Sequence, residues 1–295
     1  MPGREADISS RVFVSSGAFG RMSVEDIVAT AADEGVRHIE LASGTRHRSG
    51  AGLDRVLSQA GEAGYAFLVH NYFPVPAESF VLNLASADPA NLERSISHVR
   101  NAVDLCVSVN SPFYSLHCGF CIDPAPADLG RALKGPVIPV EEATEVFVAS
   151  VRELADYAAG RGVDLLLENN VLSPMNAGRV QLLGVQPAEI EDLLERIDRR
   201  NVGLLLDVGH LKVSSVTLDF DMHAAASRLA PLVRCCHLSD NDGTEDSNGV
   251  VSEDAWFWEP LLGHFDKPPY WVLEAYNLQP KTMVQQISLI ESKAL

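Results

Sequence analysis

Eight short apolar runs recur along this chain of 295 residues, and segments with helical periodicity separate them. Most of the runs are rich in Val, Ile, Leu or Phe and end on a polar or charged residue. They occupy residues 11–16, 38–43, 66–71, 113–118, 164–170, 203–210, 233–240 and 270–277. Alternation of strand and helix repeated eight times predicts a (β/α)8 TIM barrel, in which a closed ring of parallel strands is surrounded by helices.

The segments between the runs carry helix signals. Ser23 stands at a predicted N-cap with Asp26 three residues later, and that helical pattern stops at Gly35. Pro139 and Pro187 stand where a helix tolerates proline, at or near its first turn. Apolar residues at i, i+3, i+4 and i+7 indicate further amphipathic helices in residues 91–109, 139–162 and 186–200.

A doubly wound open sheet is the main alternative to the barrel. It would favour a GxGxxG phosphate-binding turn after the first strand, but residues 15–20 read SSGAFG. We see no linker or low-complexity segment in the sequence. We therefore expect one barrel domain over residues 1–295.

The charge of the chain limits its partners. Forty acidic residues against 23 basic ones give a formal net charge of −17, whereas proteins that bind nucleic acid or anionic membranes usually present a basic face.

The N-terminus lacks a signal-peptide pattern, and no apolar run approaches the roughly 18 residues that span a bilayer. Five cysteines, an odd number, suit a reducing compartment. We predict a cytoplasmic protein that binds a small molecule but neither nucleic acid nor membrane. The sequence leaves open whether the protein forms a homo-oligomer, either a dimer or a tetramer.

Acids and histidines follow the apolar part of seven of the eight runs. In a (β/α)8 barrel the carboxyl ends of the strands meet at one pocket. Any one of these residues could serve a structural ion pair or a loop hydrogen bond, but their recurrence favours a shared site. The residues are Glu40, His70, His117, Glu168, Asp207 with His210, His237 and Glu274.

Several carboxylates buried in one pocket require a compensating cation. The candidate ligands are Glu168, Asp207, His237 and Glu274. Three carboxylates and one imidazole form a hard, oxygen-rich set that suits Mn²⁺, Mg²⁺ or Co²⁺ better than Zn²⁺. We predict one divalent metal ion with open positions for two substrate oxygens, where it would orient and polarise a carbonyl.

Four short motifs make the chain resemble the xylose isomerase-like barrel superfamily along nearly its whole length. They are ENN at 168–170, DVGH at 207–210, HLSDNDG at 237–243 and LEAY at 273–276. This superfamily contains ketose 3-epimerases, hydroxypyruvate isomerases, inosose dehydratases and type IV apurinic endonucleases. The resemblance is specific for the superfamily and much less so for the reaction.

In the epimerase and isomerase branch, the resemblance implies that the four candidate ligands bind the metal. It further implies that Glu168 and Glu274 act as acid and base on opposite faces of the substrate, and that His210 contacts a substrate oxygen. Moving a proton beside a carbonyl requires stabilisation of an enediolate and a carboxylate that takes the proton. We predict a divalent-metal-dependent isomerase or epimerase for a small sugar or polyol-like carbonyl compound. A dehydratase and a non-catalytic sugar-binding barrel are the alternatives.

The endonuclease branch binds three zinc ions, and this chain matches part of that larger ligand set. His70 and His117 stand at two of the further positions, and Asp246 matches a third, but Asn248 stands where a histidine is expected. The missing ligand and the negative charge argue against cleavage of abasic DNA. We expect His70, His117 and His210 to bind substrate hydroxyls, and a second metal ion at some of these residues stays open.

Two more residues are candidates for substrate binding. Asn170 suits hydrogen bonding to a polyol, and Lys212 could meet a substrate carboxylate or phosphate unless it is a surface lysine. Pro174 stands where the epimerases carry an acidic substrate-binding residue, so the substrate itself is not predicted.

Overall fold

The computed structural model describes residues 11–48, 50–267 and 269–294. Within these ranges eight parallel strands close into a barrel in sequence order, and the last strand pairs with the first. The predicted (β/α)8 barrel is therefore confirmed. The strands are β1 Val12–Ser15, β2 His38–Leu41, β3 Ala66–His70, β4 Phe113–His117, β5 Asp164–Glu168, β6 Val202–Asp207, β7 Val233–Leu238 and β8 Tyr270–Leu273.

The helices begin close to the predicted positions. Ser23 caps the first helix by accepting a hydrogen bond from the Asp26 amide, Pro139 directly precedes α4, and Pro187 is the first residue of α5. None of the described helices is long and apolar enough to cross a membrane. The helices are α1 Val24–Asp33, α2 Gly50–Glu62, α3 Pro89–Val109, α4 Val140–Ala159, α5 Pro187–Ile197, α6 Val208–Leu218, α7 Met222–Leu229, α8 Trp258–Leu261 and α9 Pro280–Ala294.

The barrel interior is filled by one apolar cluster. Its members are Phe13, Ala66, Leu68, Phe113, Leu166, Leu205, Cys235 and Val272, each at most 9% exposed. Successive side chains of a strand point to opposite faces, so the residue two positions further along faces the interior again. The resulting pairs are Leu68 and His70, Leu166 and Glu168, Leu205 and Asp207, Cys235 and His237, and Val272 and Glu274. Five of the predicted site residues, His70, Glu168, Asp207, His237 and Glu274, therefore form the next layer above the apolar cluster.

The alternate strand residues pack outward against the helices. Leu165 and Leu167 of β5 belong to one helix-facing cluster, and Leu204 and Leu206 of β6 belong to another. Full burial of such a side chain contributes about 1.5–3 kcal/mol. All five cysteines are buried and free, so Cys118 and Cys121 form no disulfide.

The sixth apolar run departs from its predicted extent. Residues 203–210 read as one segment in sequence, but the strand ends at Asp207 and α6 begins at Val208. The Asp207 side chain ends the strand because its Oδ1 accepts a hydrogen bond from the His210 amide at 2.7 Å, as an N-cap does. Gly209 allows this turn to pack closely, since a Cβ there would lie 2.7 Å from Ser239 Oγ.

Candidate functional site

The four candidate metal ligands lie together at the carboxyl ends of four neighbouring strands. One ligand atom from each lies within 4.8 Å of the others, and all four residues are buried. Strand register explains the shared level, because Asp207 of β6 pairs directly with His237 of β7. The ligands are Glu168, Asp207, His237 and Glu274.

His237 Nδ1 lies at the centre of the cluster. It is 2.9 Å from Glu274 Oε2, 3.6 Å from Glu168 Oε1 and 3.9 Å from Asp207 Oδ2. Atoms that share a small divalent ion at about 2.0–2.2 Å are themselves roughly 3–4 Å apart. The spacing therefore fits a common cation.

The polar atoms of the cluster point to the same conclusion. Glu168 Oε2, Asp207 Oδ2 and His237 Nδ1 are inaccessible to solvent and have no hydrogen-bond partner of acceptable geometry among the described residues. Leaving such groups unpaired costs about 1–3 kcal/mol each, and more when they are charged. A divalent cation would satisfy all three, so these residues fit a metal ion.

The electrostatics of the cluster are those of a crowded carboxylate site. Burial raises the pKa of Asp207 well above its ordinary value, and the Glu274 carboxylate adds to the effect against the opposing influence of His210. Burial also acts to raise the pKa of Glu274, but His237 outweighs it and lowers that pKa to about 2. Burial alone would lower the pKa of His237, yet the carboxylates of Glu274 and Glu40 raise it well above its ordinary value. The cluster therefore attracts positive charge, whether a proton or a metal ion.

Asn169, in the ENN motif, holds Asp207 in place. Its side-chain Oδ1 accepts from the Asp207 backbone amide at 2.7 Å, and its Nδ2 donates to the Asp207 carbonyl at 3.0 Å. The Asn169 side chain therefore continues the hydrogen bonding between β5 and β6 by one further pair of bonds. The Asn169 carbonyl also lies 2.9 Å from His210 Nδ1. Asn169 therefore orients two site residues, Asp207 through its side chain and His210 through its backbone carbonyl.

A second group of potential ligands shares Glu168 with the first. His70 Nε2 and His117 Nδ1 lie 3.4 and 3.2 Å from Glu168 Oε2, and the three residues could hold a metal ion. His70 is oriented by Ser115, whose Oγ is 3.0 Å from Nδ1. Burial lowers the pKa of His117 to about 4, so this imidazole is neutral at neutral pH and offers a free lone pair.

His210 lies on the other side of Glu168, at the first turn of α6. Its Nε2 is 3.2 Å from Asp246 Oδ2 and its ring stacks against that of His117 with centroids 5.6 Å apart. Burial alone would lower the pKa of His210, but Asp207 and Asp246 raise it well above its ordinary value. The structure thus brings the three predicted substrate-binding histidines to the rim of the carboxylate cluster.

Asn170 and Lys212 are engaged elsewhere. The Asn170 amide donates to the carbonyls of Cys118 at 2.7 Å and Leu183 at 2.9 Å, so it fastens the loops behind the site. Lys212 Nζ donates to Asp240 Oδ1 at 2.7 Å and to a neighbouring carbonyl in the loop after β7. Their substrate-binding roles stay predictions, and the geometry gives both side chains a structural task.

Two residues to which the sequence assigned no role contact the candidate ligands. Glu40 Oε2 lies 2.9 Å from His237 Nε2, with both side chains fully buried. The Tyr276 hydroxyl donates to Glu274 Oε1 at 3.2 Å, and Tyr276 is 44% exposed, so its ring borders the opening of the site. Glu40 stands at the end of a strand like the other site residues, whereas nothing in the sequence signals the contact of Tyr276.

A protein of related sequence matches about half of this chain. A probable endonuclease 4 from Persephonella marina is 26% identical over 139 residues, which cover 47% of this chain and 42% of that protein. The match therefore spans less than half the length of this relative.

Solved structures match almost the whole chain. A D-tagatose 3-epimerase-like protein superposes with a TM-score of 0.71 at 18% identity, over 96% of this chain and 98% of that protein. A xylose isomerase-like TIM barrel protein from Mycobacterium smegmatis, solved in complex with magnesium, has a TM-score of 0.65 at 15% identity, with coverage of 96% and 97%. At these identities the likeness establishes the fold.

Membership is established by the sequence as a whole. The profile of one family matches residues 28–290, which include the four ligand-bearing strands and all but the first strand of the barrel. The chain belongs to the xylose isomerase-like TIM barrel family.

Proposed function

We propose that this protein is a divalent-metal-dependent isomerase or epimerase that acts on a small sugar or polyol-like carbonyl compound. In this reaction a proton leaves the carbon beside a carbonyl and returns to the same or the neighbouring carbon through an enediolate. The observation that carries the proposal is the pair of buried carboxylates, Glu168 and Glu274, that converge on one imidazole nitrogen at 3.6 and 2.9 Å.

The two carboxylates come from β5 and β8, three strands apart around the ring. This separation supports a substrate lying between them, with Glu168 taking the proton and Glu274 returning it. The Tyr276 hydroxyl, 3.2 Å from Glu274 Oε1, holds that carboxylate in one orientation. A second carboxylate across the substrate plane is what an epimerase requires.

The metal ligands would be the four clustered residues Glu168, Asp207, His237 and Glu274. A bound Mn²⁺, Mg²⁺ or Co²⁺ supplies charge that polarises the substrate carbonyl and stabilises the enediolate. The remaining chemistry belongs to the protein. His117, whose side chain is 28% exposed, and His210 lie where they can bind substrate hydroxyls.

Deuterium exchange tests the reaction directly. Ketoses such as D-fructose, D-tagatose and L-ribulose are incubated with the protein and Mn²⁺ in D₂O. We expect deuterium at the carbon beside the carbonyl, read by NMR and mass spectrometry. At saturating Mn²⁺, Glu274→Gln should slow epimer or isomer formation by about 10²-fold or more. Asp164→Asn, at the opposite end of β5, is the matched control and should retain full activity.

The alternatives give different results in the same experiment. A dehydratase forms the same enolate and expels a β-hydroxyl, so its product has lost water and absorbs as a conjugated enone. A non-catalytic sugar-binding barrel binds a ketose without exchange or turnover, whichever metal ion is added. Either outcome would contradict the proposal.

A second metal ion at His70, His117 and Glu168 has support from their spacing, with ligand atoms within 4.8 Å of one another. Metal analysis of the purified protein gives the stoichiometry, and His117→Ala should lower it from two ions to one if this position is filled. The endonuclease alternative finds less support, since Asn248 replaces a histidine and the net charge of −17 repels DNA.

A further inference from the structure

Glu40 is a carboxylate in the barrel interior to which the proposed reaction assigns no step. It lies on β2, 0% exposed, and its register partner on β1 is Ser15. Its Oε1 has no hydrogen-bond partner among the described residues, and its Oε2 lies 2.9 Å from His237 Nε2. A buried carboxylate is costly unless it is paired, so the contact with His237 is the main compensation that the structure offers it.

The barrel itself does not require an acid at this position. The neighbouring interior positions of the layer below carry apolar residues such as Phe13 and Leu68. A side chain of similar length without charge would fill the same space at lower cost. The contact with His237 therefore offers a reason for an acid at this position.

The contact determines which nitrogen of His237 is available. The contact with Glu40 engages Nε2, so Nδ1, which faces the three carboxylates of the cluster, is the nitrogen left for a cation. Metal-binding histidines are commonly held in this way by a carboxylate on the other ring nitrogen, which also makes the ligand more basic. Nδ1 has no aligned hydrogen-bond partner among the described residues, as expected for a nitrogen reserved for a cation.

We infer that Glu40 is a positioning residue of the metal centre, which presents His237 Nδ1 to the ion by holding the proton on Nε2. The inference rests on the proposed metal dependence of the enzyme, and it adds a residue that touches neither metal nor substrate. The chief competing arrangement places Glu40 in contact with the ion itself, since ligand atoms of Glu40, His70 and His237 also lie within 4.8 Å of one another.

Metal affinity provides the first test. The dissociation constant for Mn²⁺ is measured by electron paramagnetic resonance on wild type, Glu40→Met, Glu40→Gln and Asp164→Asn. Glu40→Met removes the acceptor and should weaken binding by about 10–100-fold. Glu40→Gln retains an acceptor oxygen and should lose less Mn²⁺ affinity. This variant also keeps the test valid if Glu40→Met does not fold. Asp164→Asn, whose carboxylate binds Arg234 at the far end of the barrel, should bind Mn²⁺ like wild type.

The ring nitrogens provide the second test, which a general loss of stability would not mimic. In ¹⁵N-histidine-labelled protein loaded with ¹¹³Cd²⁺, cadmium should couple to Nδ1 of His237, and its Nε2–H should exchange slowly with solvent. In Glu40→Met the coupling should remain on Nδ1 or vanish, and the Nε2–H should exchange faster.

Two outcomes would overturn the inference: Mn²⁺ affinity of Glu40→Met within two-fold of wild type, or cadmium coupled to Nε2. The second would make Glu40 and His70 ligands of the ion. The proposed function fails separately, if wild type binds Mn²⁺ tightly but exchanges no proton of any ketose. Absence of Mn²⁺ binding by wild type would overturn both.

Discussion

Asp207 and His237 are direct register partners on β6 and β7, and Asp207 Oδ2 lies 3.9 Å from His237 Nδ1. The other oxygen of Asp207 caps α6 by accepting from the His210 amide. One carboxylate therefore ends a strand, starts a helix and faces the candidate metal ion. The Asp207 side chain thus has a structural role and a proposed chemical role, and substitutions can separate the two.

Asp207→Asn should weaken Mn²⁺ binding by at least about ten-fold without destabilising the metal-free protein, because asparagine caps a helix as well as aspartate does. Asp207→Ala should weaken binding similarly and also lose about 1 kcal/mol of stability with the cap. Calorimetric Mn²⁺ titration and urea unfolding measure the two effects. Unchanged Mn²⁺ affinity in Asp207→Asn would show that this residue is not a ligand.

Gly17 leaves room for the Tyr276 ring at the opening of the site. A Cβ at Gly17 would lie 2.7 Å from the ring atom Cε1, so Gly17→Ala should displace the ring and disturb its contact with Glu274. We expect kcat/KM for the reactive ketose to fall by roughly ten-fold, a typical coupling for side chains in contact.

A double mutant supplies the control for this effect. In a Tyr276→Ala background, Gly17→Ala should change kcat/KM by less than about two-fold, because there is no ring left to displace. An equal loss in both backgrounds would mean that Gly17 acts independently of Tyr276.

Gly209 is required by close packing. A Cβ there would lie 2.7 Å from Ser239 Oγ and 3.1 Å from Asn241 Nδ2, so Gly209→Ala should destabilise the protein by about 1–3 kcal/mol. Gly61→Ala in α2 is the matched control, since a Cβ there meets no atom of the described residues within 4 Å. That substitution should stabilise by about 0.5–1 kcal/mol. Urea unfolding measures both, and the same sign for the two variants would contradict the packing argument.

His98 of α3 should make stability depend on pH. Burial, with a smaller contribution from Arg94, lowers its pKa from 6.5 to about 4 in the folded protein. Between these values the unfolded chain binds more protons than the folded one. The contribution of neutral His98 to the free energy of unfolding is therefore fully present above pH 6.5. It is lost as the pH falls toward 4, by roughly 3 kcal/mol.

The variant His98→Leu should lose this part of the pH dependence, because leucine does not titrate and the site is already apolar beside Phe80. Urea unfolding from pH 7 to pH 4.5 gives the comparison. Parallel wild-type and His98→Leu profiles would mean that His98 does not titrate in this range.

The strands and the larger helices were predictable because their signals are local. The short apolar runs, the cap at Ser23 and the prolines at Pro139 and Pro187 each act within a few residues of the chain. The end of β6 was less predictable, since the run at 203–210 continues apolar through Val208. The helix cap that Asp207 makes there decides the boundary.

Two observations bear on why residue 248 is an asparagine. In sequence it marks the absence of a histidine that the endonuclease branch carries. In the structure it is 7% exposed and has φ of 46°, in the left-handed region that asparagine tolerates better than most residues. Backbone conformation is therefore a sufficient reason for asparagine at this position.

By itself the sequence determined the (β/α)8 barrel and the set of acids and histidines at its strand ends, because periodicity places alternate side chains on one face. Its motifs and its match to a family profile determined the family. Only the tertiary structure decided what each of these side chains contacts. Glu40 meets His237 across 197 positions of sequence, and Asn170 turns its amide to backbone carbonyls. Hydrogen bonds depend on distances of a few ångströms and on orientation, which strand register and barrel closure set, and which no local pattern encodes.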